Sequence, residues 1–431
     1  MSSQNANSLT IGLLDHMGYG NLGDAASQDV AIANIQKRLP EAQLIGFSFV
    51  PADTTARHGI PCYPIRWWYP ISANTEVPAA GTNGAIHGIK FIVKRVPFLS
   101  GLAKWVLECG RDVKFWVSSY QAVSRLDILV ISGGGQLSDL WRGPWSHPYA
   151  IFRFCLLAKL AGKKLYFLNV GAGPLNHWLS KWFAKQAVQM ADYRSFRDED
   201  SRELVRGLGV KAETYVNPDL AYGLEVKQAK NGIPHGASMP MVGVNPIGFC
   251  DPRNWARKDE SAYRNYLQKI VSFSIWLLEQ GYRLRIFTTE ASLDKYVIAD
   301  MTAALQSQVS PELFGRVSVS GGREVDEVLR EMAEFDFVLT SKFHGIIFSQ
   351  VLGKPVISLS YHKKMEFAMR AAGQERFNSS IERFDAAWLM EAFRCLVESR
   401  VEIQRKSEAV VSGYAARLAK QFDGLLLQEI S

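Results

Sequence analysis

Cysteine is scarce in this 431-residue chain, and its five copies (Cys62, Cys109, Cys155, Cys250 and Cys395) include no CxxC pair. An odd, scattered set excludes a disulfide framework and a zinc-finger site, and it fits a reducing compartment such as the cytoplasm. No 18-residue stretch is both apolar and free of charge, so no membrane-spanning helix is expected. Met1–Ser8 is polar and runs straight into an apolar stretch, which predicts a fold with no secretory signal ahead of it. Walker GxxxxGK[ST], HExxH and GxSxG sequences are all missing, so P-loop hydrolysis, zincin chemistry and a serine elbow find no support. His, Cys, Asp and Glu nowhere recur at metal-ligand spacing, and no metal is expected.

What the chain does have is a balanced globular composition, 47% hydrophobic and 21% charged, with a net charge of +7. That length and balance predict two domains, each able to bury a core. The positive excess fits nucleic acid, a membrane surface or an anionic small substrate. Part of it is local: His87 to Arg125 holds seven Lys/Arg against Glu108 and Asp112. No zinc-finger, RRM or helix-turn-helix signature accompanies it, so nucleic acid is not an expected partner.

Short apolar runs alternate with amphipathic stretches along most of the chain. Ser8–Leu14, Gln43–Phe49, Asp127–Ile131 and Lys164–Asn169 read as strands; Asp24–Leu39, Pro148–Leu160 and Trp178–Met190 read as helices. After the polar, Gly/Pro-containing stretch Glu225–Pro240, read as a linker, a second series starts at strand Met241–Asn245. It runs through strand Phe337–Thr340, helix His344–Leu352 and strand Pro355–Ser360 to helix Met365–Ala371. The pattern predicts an α/β protein of two Rossmann-like domains facing a cleft, residues 1–230 and 238–393, followed by a helical tail over 394–431. Gly59–Trp116 carries the weakest signal.

Gly18-Tyr-Gly20-Asn-Leu-Gly23 matches GxGxxG between a strand and a helix, which raises a dinucleotide site. Two details count against it. Asp24 opens the helix, where its carboxylate repels a pyrophosphate, and no acidic residue ends the second strand. The plainer reading is a tight turn capped by Asn21 or Asp24. Ser132-Gly133-Gly134-Gly135 and Gly171-Ala-Gly173-Pro174 follow the next two strands. Loops at strand C-termini line the ligand crevice of an open sheet, so three glycine turns at one edge point to a binding edge.

Ser341-Lys342-Phe-His344-Gly345 lies between a strand and a helix whose N-terminus suits an anion. The plainer reading is that Ser341 caps the helix and His344 packs. Tyr361-His-Lys-Lys364 ends the next strand at the same edge, and Arg197 in Ser195–Ser201 offers a planar fork to a carboxylate or phosphate. A solvated loop and a salt bridge to Asp198 are the respective plain alternatives.

The order GNLGD (20–24), DILVISGGGQLSD (127–139), GAGPL (171–175), SFRDEDS (195–201), NPDLAY (217–222) and SKFHGIIFSQVLGKPVISLSYHKKM (341–365) resembles the polysaccharide pyruvyl transferase family. The resemblance covers the chain from Ile11 to about Gly373. It implies a fold like that of GT-B glycosyltransferases with the active site in the interdomain cleft. It also implies phosphoenolpyruvate as donor, no further cofactor, and as acceptor a sugar of a surface polysaccharide or its lipid-linked precursor. By that match His344 is the acid, Arg197 an anion clamp and Lys364 the family's lysine after the following strand. The family usually has Arg-Leu-His where this chain has Lys342-Phe343-His344, so Lys342, Ser341 and Gly345 complete the expected donor side. Lysine keeps the charge but loses the bidentate fork.

On the acceptor side the expectation is Asn21, Asp24, Gly133, Gly134, Gly135 and Gly173, with Trp141 and Trp145 stacking on a sugar ring, although core packing is the plainer role for any one tryptophan. The basic, Trp-bearing stretch Ile86–Tyr120 suits the inner face of an anionic membrane near a lipid-linked acceptor; its plain alternative is a pair of helices with solvated basic faces. Two other functions fit the same architecture: a glycosyltransferase using a nucleotide sugar, and a non-catalytic sugar- or anion-binding relative.

Overall fold

The computed structural model describes residues 9–14, 20–66, 97–140, 143–226 and 239–427. Two sheets, wholly parallel, organise the chain. The first contains β1 (Thr10–Leu14), β2 (Gln43–Ser48), β3 (Cys62–Pro64), β4 (Ile128–Ser132), β5 (Lys164–Val170), β6 (Tyr193–Phe196) and β7 (Tyr215–Val216), in the order β3-β2-β1-β4-β5-β6-β7. The second contains β8 (Met241–Asn245), β9 (Arg283–Ile286), β10 (Val317–Val319), β11 (Phe337–Thr340), β12 (Val356–Ser360) and β13 (Asn378–Ser380), in the order β10-β9-β8-β11-β12-β13. The central strands are buried along their whole length, as ILVIS of β4 and VISLS of β12 show, because helices cover both faces. In both sheets the order reverses beside the first strand, so each has a switch point where ligands bind beyond the strand C-termini.

Helices α1 (Leu22–Arg38), α2 (Pro51–His58), α3 (Pro97–Val123), α4 (His147–Leu160), α5 (Trp178–Met190) and α6 (Glu199–Gly207) serve the first sheet. Helices α7 (Glu260–Glu279), α8 (Ala291–Gln308), α9 (Pro311–Phe314), α10 (Val325–Ala333), α11 (Phe343–Val351), α12 (Lys363–Ala371) and α13 (Ala386–Glu398) serve the second. The strand order places α1 on one face of the first sheet and α3, α4 and α5 side by side on the other, because right-handed crossovers to the left and right of β1 fall on opposite faces. The second of these faces has its own core, built on Phe47, Ile131, Ile151, Phe154 and Phe167. The α1 face merges with the second sheet into one continuous core.

The helical tail expected from residue 394 starts inside α13, which runs from Ala386; its apolar face packs Leu389, Phe393 and Leu396 onto the second core. The last helix, α14 (Arg400–Leu426), crosses back to the first sheet. Arg38 Nε donates to Asp423 Oδ1 at 2.7 Å, Arg417 donates to the Val216 carbonyl, and Gln421 Nε2 reaches Asn169 and Ser195 at 2.7 and 2.9 Å. The stretch Ile86–Tyr120 lies partly outside the described residues. From Pro97 it belongs to the 27-residue helix α3.

Candidate active site

Two helix N-termini meet where the halves touch. Asn21 caps α1, its Oδ1 accepting from Gly23 N at 3.0 Å and Asp24 N at 3.3 Å, while its Nδ2 donates to Asp24 Oδ2. The glycine-rich turn thus ends in an Asx cap, and Gly18 lies outside the described residues. The same turn is stitched to the second half: Leu22 N donates to the Thr289 carbonyl at 2.9 Å, and Asn21 forms an antiparallel bridge with Glu290.

From the other side, α11 brings His344 onto α1. The imidazole lies so close to Gly23 that a Cβ there would stand 1.7 Å from Nδ1. Gly23 is therefore a docking plate for the ring rather than only a turn residue. Gly345 is equally constrained, since a Cβ would collide with Thr340 Oγ1 and Asn245 Oδ1 at the ends of β11 and β8. The first-turn N–H groups of α11 have no intrahelical acceptor by construction and carry the positive end of its dipole.

Arg197 follows β6, and its guanidinium lies flat on Gly171, where a Cβ would approach within 2.5 Å of Nε. Its Nη1 donates to Asp219 Oδ2 at 3.1 Å, and its Cζ stands 4.9 Å from the Phe343 ring centroid. Lys364 Nζ approaches the same ring at 5.1 Å. Asp219, buried, caps the 3-10 turn Leu220–Gly223, accepts from Ser27 Oγ at 3.3 Å, and faces His344 Nε2 at 3.9 Å. His344 Nε2 and Arg197 Nε are buried without a hydrogen-bond partner. A buried polar atom left unsatisfied is costly, and such atoms converging at one place suit a polar ligand.

The electrostatics follow from burial and from this crowd of cations. Burial, with Arg197, Lys364 and Lys342 adding repulsion, pushes His344 down to about 4, against the pull of Asp219. Lys364 falls to about 8 by burial and by the Arg197 charge, opposed by Asp24 and other carboxylates. Burial would raise the Asp219 carboxyl, but His344 and Arg197 outweigh it and hold it below its ordinary value.

Lys342 departs from the expected donor-side role. It is the N-cap residue of α11, yet its Nζ turns into the second domain, 2.9 Å from both Glu290 Oε2 and Asp294 Oδ1. Burial alone would depress the ammonium; the two carboxylates overcome that and hold it above the usual lysine range. Its charge is already neutralised, and Ser341 Oγ is engaged with the Tyr266 hydroxyl at 2.9 Å. The cationic groups that converge on His344 are Arg197 and Lys364.

The remaining expected residues divide. Gly133 and Gly134 both have positive φ, 56° and 57°, and a Cβ on Gly133 would strike Ser27, so this loop needs glycine at both places. Gly135 lies toward Arg197, and Gly173 lies against Leu204 of α6. Trp141 falls outside the described residues. Trp145 is exposed and packs edge-on against Tyr149 and Phe183 of α4 and α5, an outer-face position rather than a place between the domains. Asp219, Glu290 and Asp294 were not singled out by the sequence, and Gly23 and Gly171 were read only as glycines of tight turns. Asp219, Gly23 and Gly171 stand inside quoted motifs (NPDLAY, GNLGD, GAGPL), but their partners are supplied by distant segments.

A family model described as "Polysaccharide pyruvyl transferase" matches residues 21–363. The chain belongs to the polysaccharide pyruvyl transferase family. The matched span runs from the Asn21 cap to the start of α12 and includes His344, Arg197 and Asp219. No curated protein matches the chain. Among solved structures it is similar to the UDP-GlcNAc 2-epimerase from Neisseria meningitidis bound to UDP-GlcNAc, at 11% identity and TM-score 0.57, covering 97% of this chain and 99% of that one. The UDP-GlcNAc 2-epimerase from Methanocaldococcus jannaschii gives 10% and 0.52 over 90% and 92%. The S. aureus MnaA–UDP structure gives 9% and 0.54 over 93% and 91%. At such identities the likeness concerns the fold: this family member has the two-domain GT-B architecture. Among the described residues no helix is long and apolar enough to cross a membrane, and no group of three or more His, Cys, Asp or Glu is placed to hold a metal ion.

Proposed function

We propose that this pyruvyl transferase uses phosphoenolpyruvate as donor and attaches the pyruvyl group as a ketal to a sugar of a surface polysaccharide or its lipid-linked precursor. The observation that carries the proposal is the convergence of Arg197, Lys364 and the α11 N-terminus around the unpartnered Nε2 of His344. Phosphoenolpyruvate carries a carboxylate and a phosphate, and this arrangement supplies cations and helix N-terminal N–H groups, with Asp219 and Asp198 both held against Arg197 at 3.1 and 3.7 Å.

The chemistry divides into an addition and then a displacement at C2. A sugar hydroxyl bonds to C2 of the enol phosphate, the C2=C3 electrons take a proton from the His344 imidazolium, and C3 becomes a methyl group. A second hydroxyl of the same sugar then bonds to C2 as the C2–O bond to phosphate breaks, releasing inorganic phosphate. The two hydroxyl protons leave, one restoring the imidazolium and the other passing to phosphate or solvent. Protonating carbon needs an acid with a pKa near working pH, which favours histidine. With the site empty His344 is neutral at pH 7, since it is held at about 4. A multiply negative donor reverses the sign of the surrounding potential and raises that value, so donor binding itself charges the acid. The reaction written this way draws on no metal or further cofactor.

Replacing His344 with asparagine abolishes turnover and leaves phosphoenolpyruvate binding within about tenfold, or roughly 1.4 kcal/mol. The assay is phosphate release from phosphoenolpyruvate, dependent on added glycan, with mass spectrometry of the glycan for a pyruvate ketal. Retained turnover in His344→Asn refutes the role of the histidine. Protection from thermal unfolding by UDP or GDP but not by phosphoenolpyruvate refutes the donor.

A further inference from the structure

The outer layer of the first domain, α3–α4–α5, exposes more aromatic and aliphatic surface than solvent-facing helices need. Trp178 and Trp182, one turn apart on α5, are 69% and 44% exposed, and Trp145 ahead of α4 is 60% exposed. These rings are held rather than loose. Trp145 and Trp182 both pack edge-on against Phe183, and Trp182 also meets Phe152 of α4. On α3, Val113, Val117 and Tyr120 form an exposed stripe at helical spacing, and Leu160 at the end of α4 is 65% exposed. A soluble monomer rarely leaves so extended an apolar face uncovered unless something binds there.

Among the described residues of this layer the exposed side-chain charges on α3 and α5 are basic. Neither α4 (HPYAIFRFCLLAKL) nor α5 (WLSKWFAKQAVQM) contains an aspartate or glutamate. Lys181 on α5 and Arg111 and Lys114 on α3 are exposed. The nearby acids are accounted for: Asp112 is half-buried and acts on Arg153 beneath the layer, and Asp192 is bonded to Lys159 at 2.7 Å. Of the α6 acids, beyond α5, Glu199 pairs with Arg202 and Glu203 with Arg206, and Asp200 is exposed at the start of that helix.

We propose that this face docks on an anionic lipid bilayer, with Trp178, Trp182 and Trp145 at headgroup depth and the α3 and α5 cations against acidic headgroups. Indole rings beside lysines are what membrane–water interfaces select, whereas the buried centre of a protein–protein interface is depleted of lysine. Complementarity to a negative surface therefore favours a bilayer over a second copy of the chain. The geometry also gives the docking a purpose. Trp178 opens α5 and Trp145 immediately precedes α4, so both lie at the strand C-terminal end of the sheet, the end that faces the site. A bilayer held there brings a lipid-linked sugar to the mouth of the cleft. The surface is distinct from the donor site; the purpose given to it rests on the proposed function, while vesicle binding itself is read without turnover.

The experiment is co-sedimentation of the full chain with vesicles of phosphatidylcholine alone or mixed with phosphatidylglycerol, at low and high salt. The chain pellets with the anionic vesicles, weakly with the neutral ones, and is released by salt. Trp178→Ser/Trp182→Ser and Lys114→Glu/Lys181→Glu each weaken binding by about tenfold or more, with unchanged melting temperature and unchanged phosphate release toward a water-soluble acceptor. Equal failure to bind both vesicle types overturns the proposal, as does binding that neither double variant weakens. A dimer in solution that Trp178→Ser/Trp182→Ser dissociates also overturns it, assigning the face to a second copy instead.

Discussion

Gly23→Ala isolates the contact on which the site depends. Gly23 lies inside α1, where alanine is preferred to glycine by about 1 kcal/mol, so the helix itself gains from the change. The new methyl, however, would stand 1.7 Å from His344 Nδ1 and 2.0 Å from Cγ. Real Cβ atoms essentially never come within 3.0 Å of a neighbour, so the imidazole must retreat by roughly 1.3 Å or the two helices must part. A misplacement of about 1 Å in a positioned reacting group costs on the order of a hundredfold in rate, or roughly 2.7 kcal/mol of transition-state stabilisation. The expected outcome is a variant that melts within a few degrees of the parent, binds phosphoenolpyruvate, and has kcat lowered about a hundredfold in the glycan-dependent phosphate-release assay. Full activity in Gly23→Ala refutes the reasoning, because it would mean that His344 does not react from its position on α1.

Gly171→Ala puts a methyl within 2.7 Å of the Arg197 guanidinium, so the donor Kd rises about tenfold by calorimetry while the fold persists. Asp219→Asn removes the carboxylate that favours the imidazolium, so the pH limb of kcat assigned to His344 moves acid by about one pH unit, a displacement that a purely structural loss would not produce. Lys342→Met strands two carboxylates and costs about 3–5 kcal/mol in urea unfolding, part of which Asp294→Asn restores. His147 is buried and bonded to Gln136, and burial together with the Arg66 charge pushes it down to about 3. Since an unfolded histidine titrates near 6.5, the stability from keeping His147 neutral is complete above that pH and is lost as pH falls toward 3. His147→Gln accordingly flattens the fall of melting temperature between pH 6.5 and 4.

The elements that were legible in the sequence are those whose burial writes a pattern. The central strands β1, β4, β5, β8, β11 and β12 are apolar runs because both faces are covered, and α7 and α10 show an apolar stripe. The edge strands β3, β7 and β13, with two or three residues each, are too short to alternate, and β3 sits in the stretch of weakest signal, just after the eight-residue α2. Within the site, His344 and Arg197 were legible as reactive types at strand ends. Asp219 was not, because its meaning arises only when chain positions 22 and 125 residues away are brought beside it. Lys342 shows the reverse: its type suggested an anion partner in the cleft, and Glu290 and Asp294, more than 45 residues earlier, supply that partner inside the protein.

Helix α14 gives the molecule a second joint. The chain passes once from the first half to the second after Leu224 and returns through α13 into α14, which is anchored to the first sheet at Arg38, Val216 and Asn169. His344 on Gly23, Arg197 against Phe343 and the Leu22–Thr289 bond all cross between the two halves, so any displacement of one half against the other would disturb the three together. The anion clamp and the proton donor thus depend on one and the same seam between the halves.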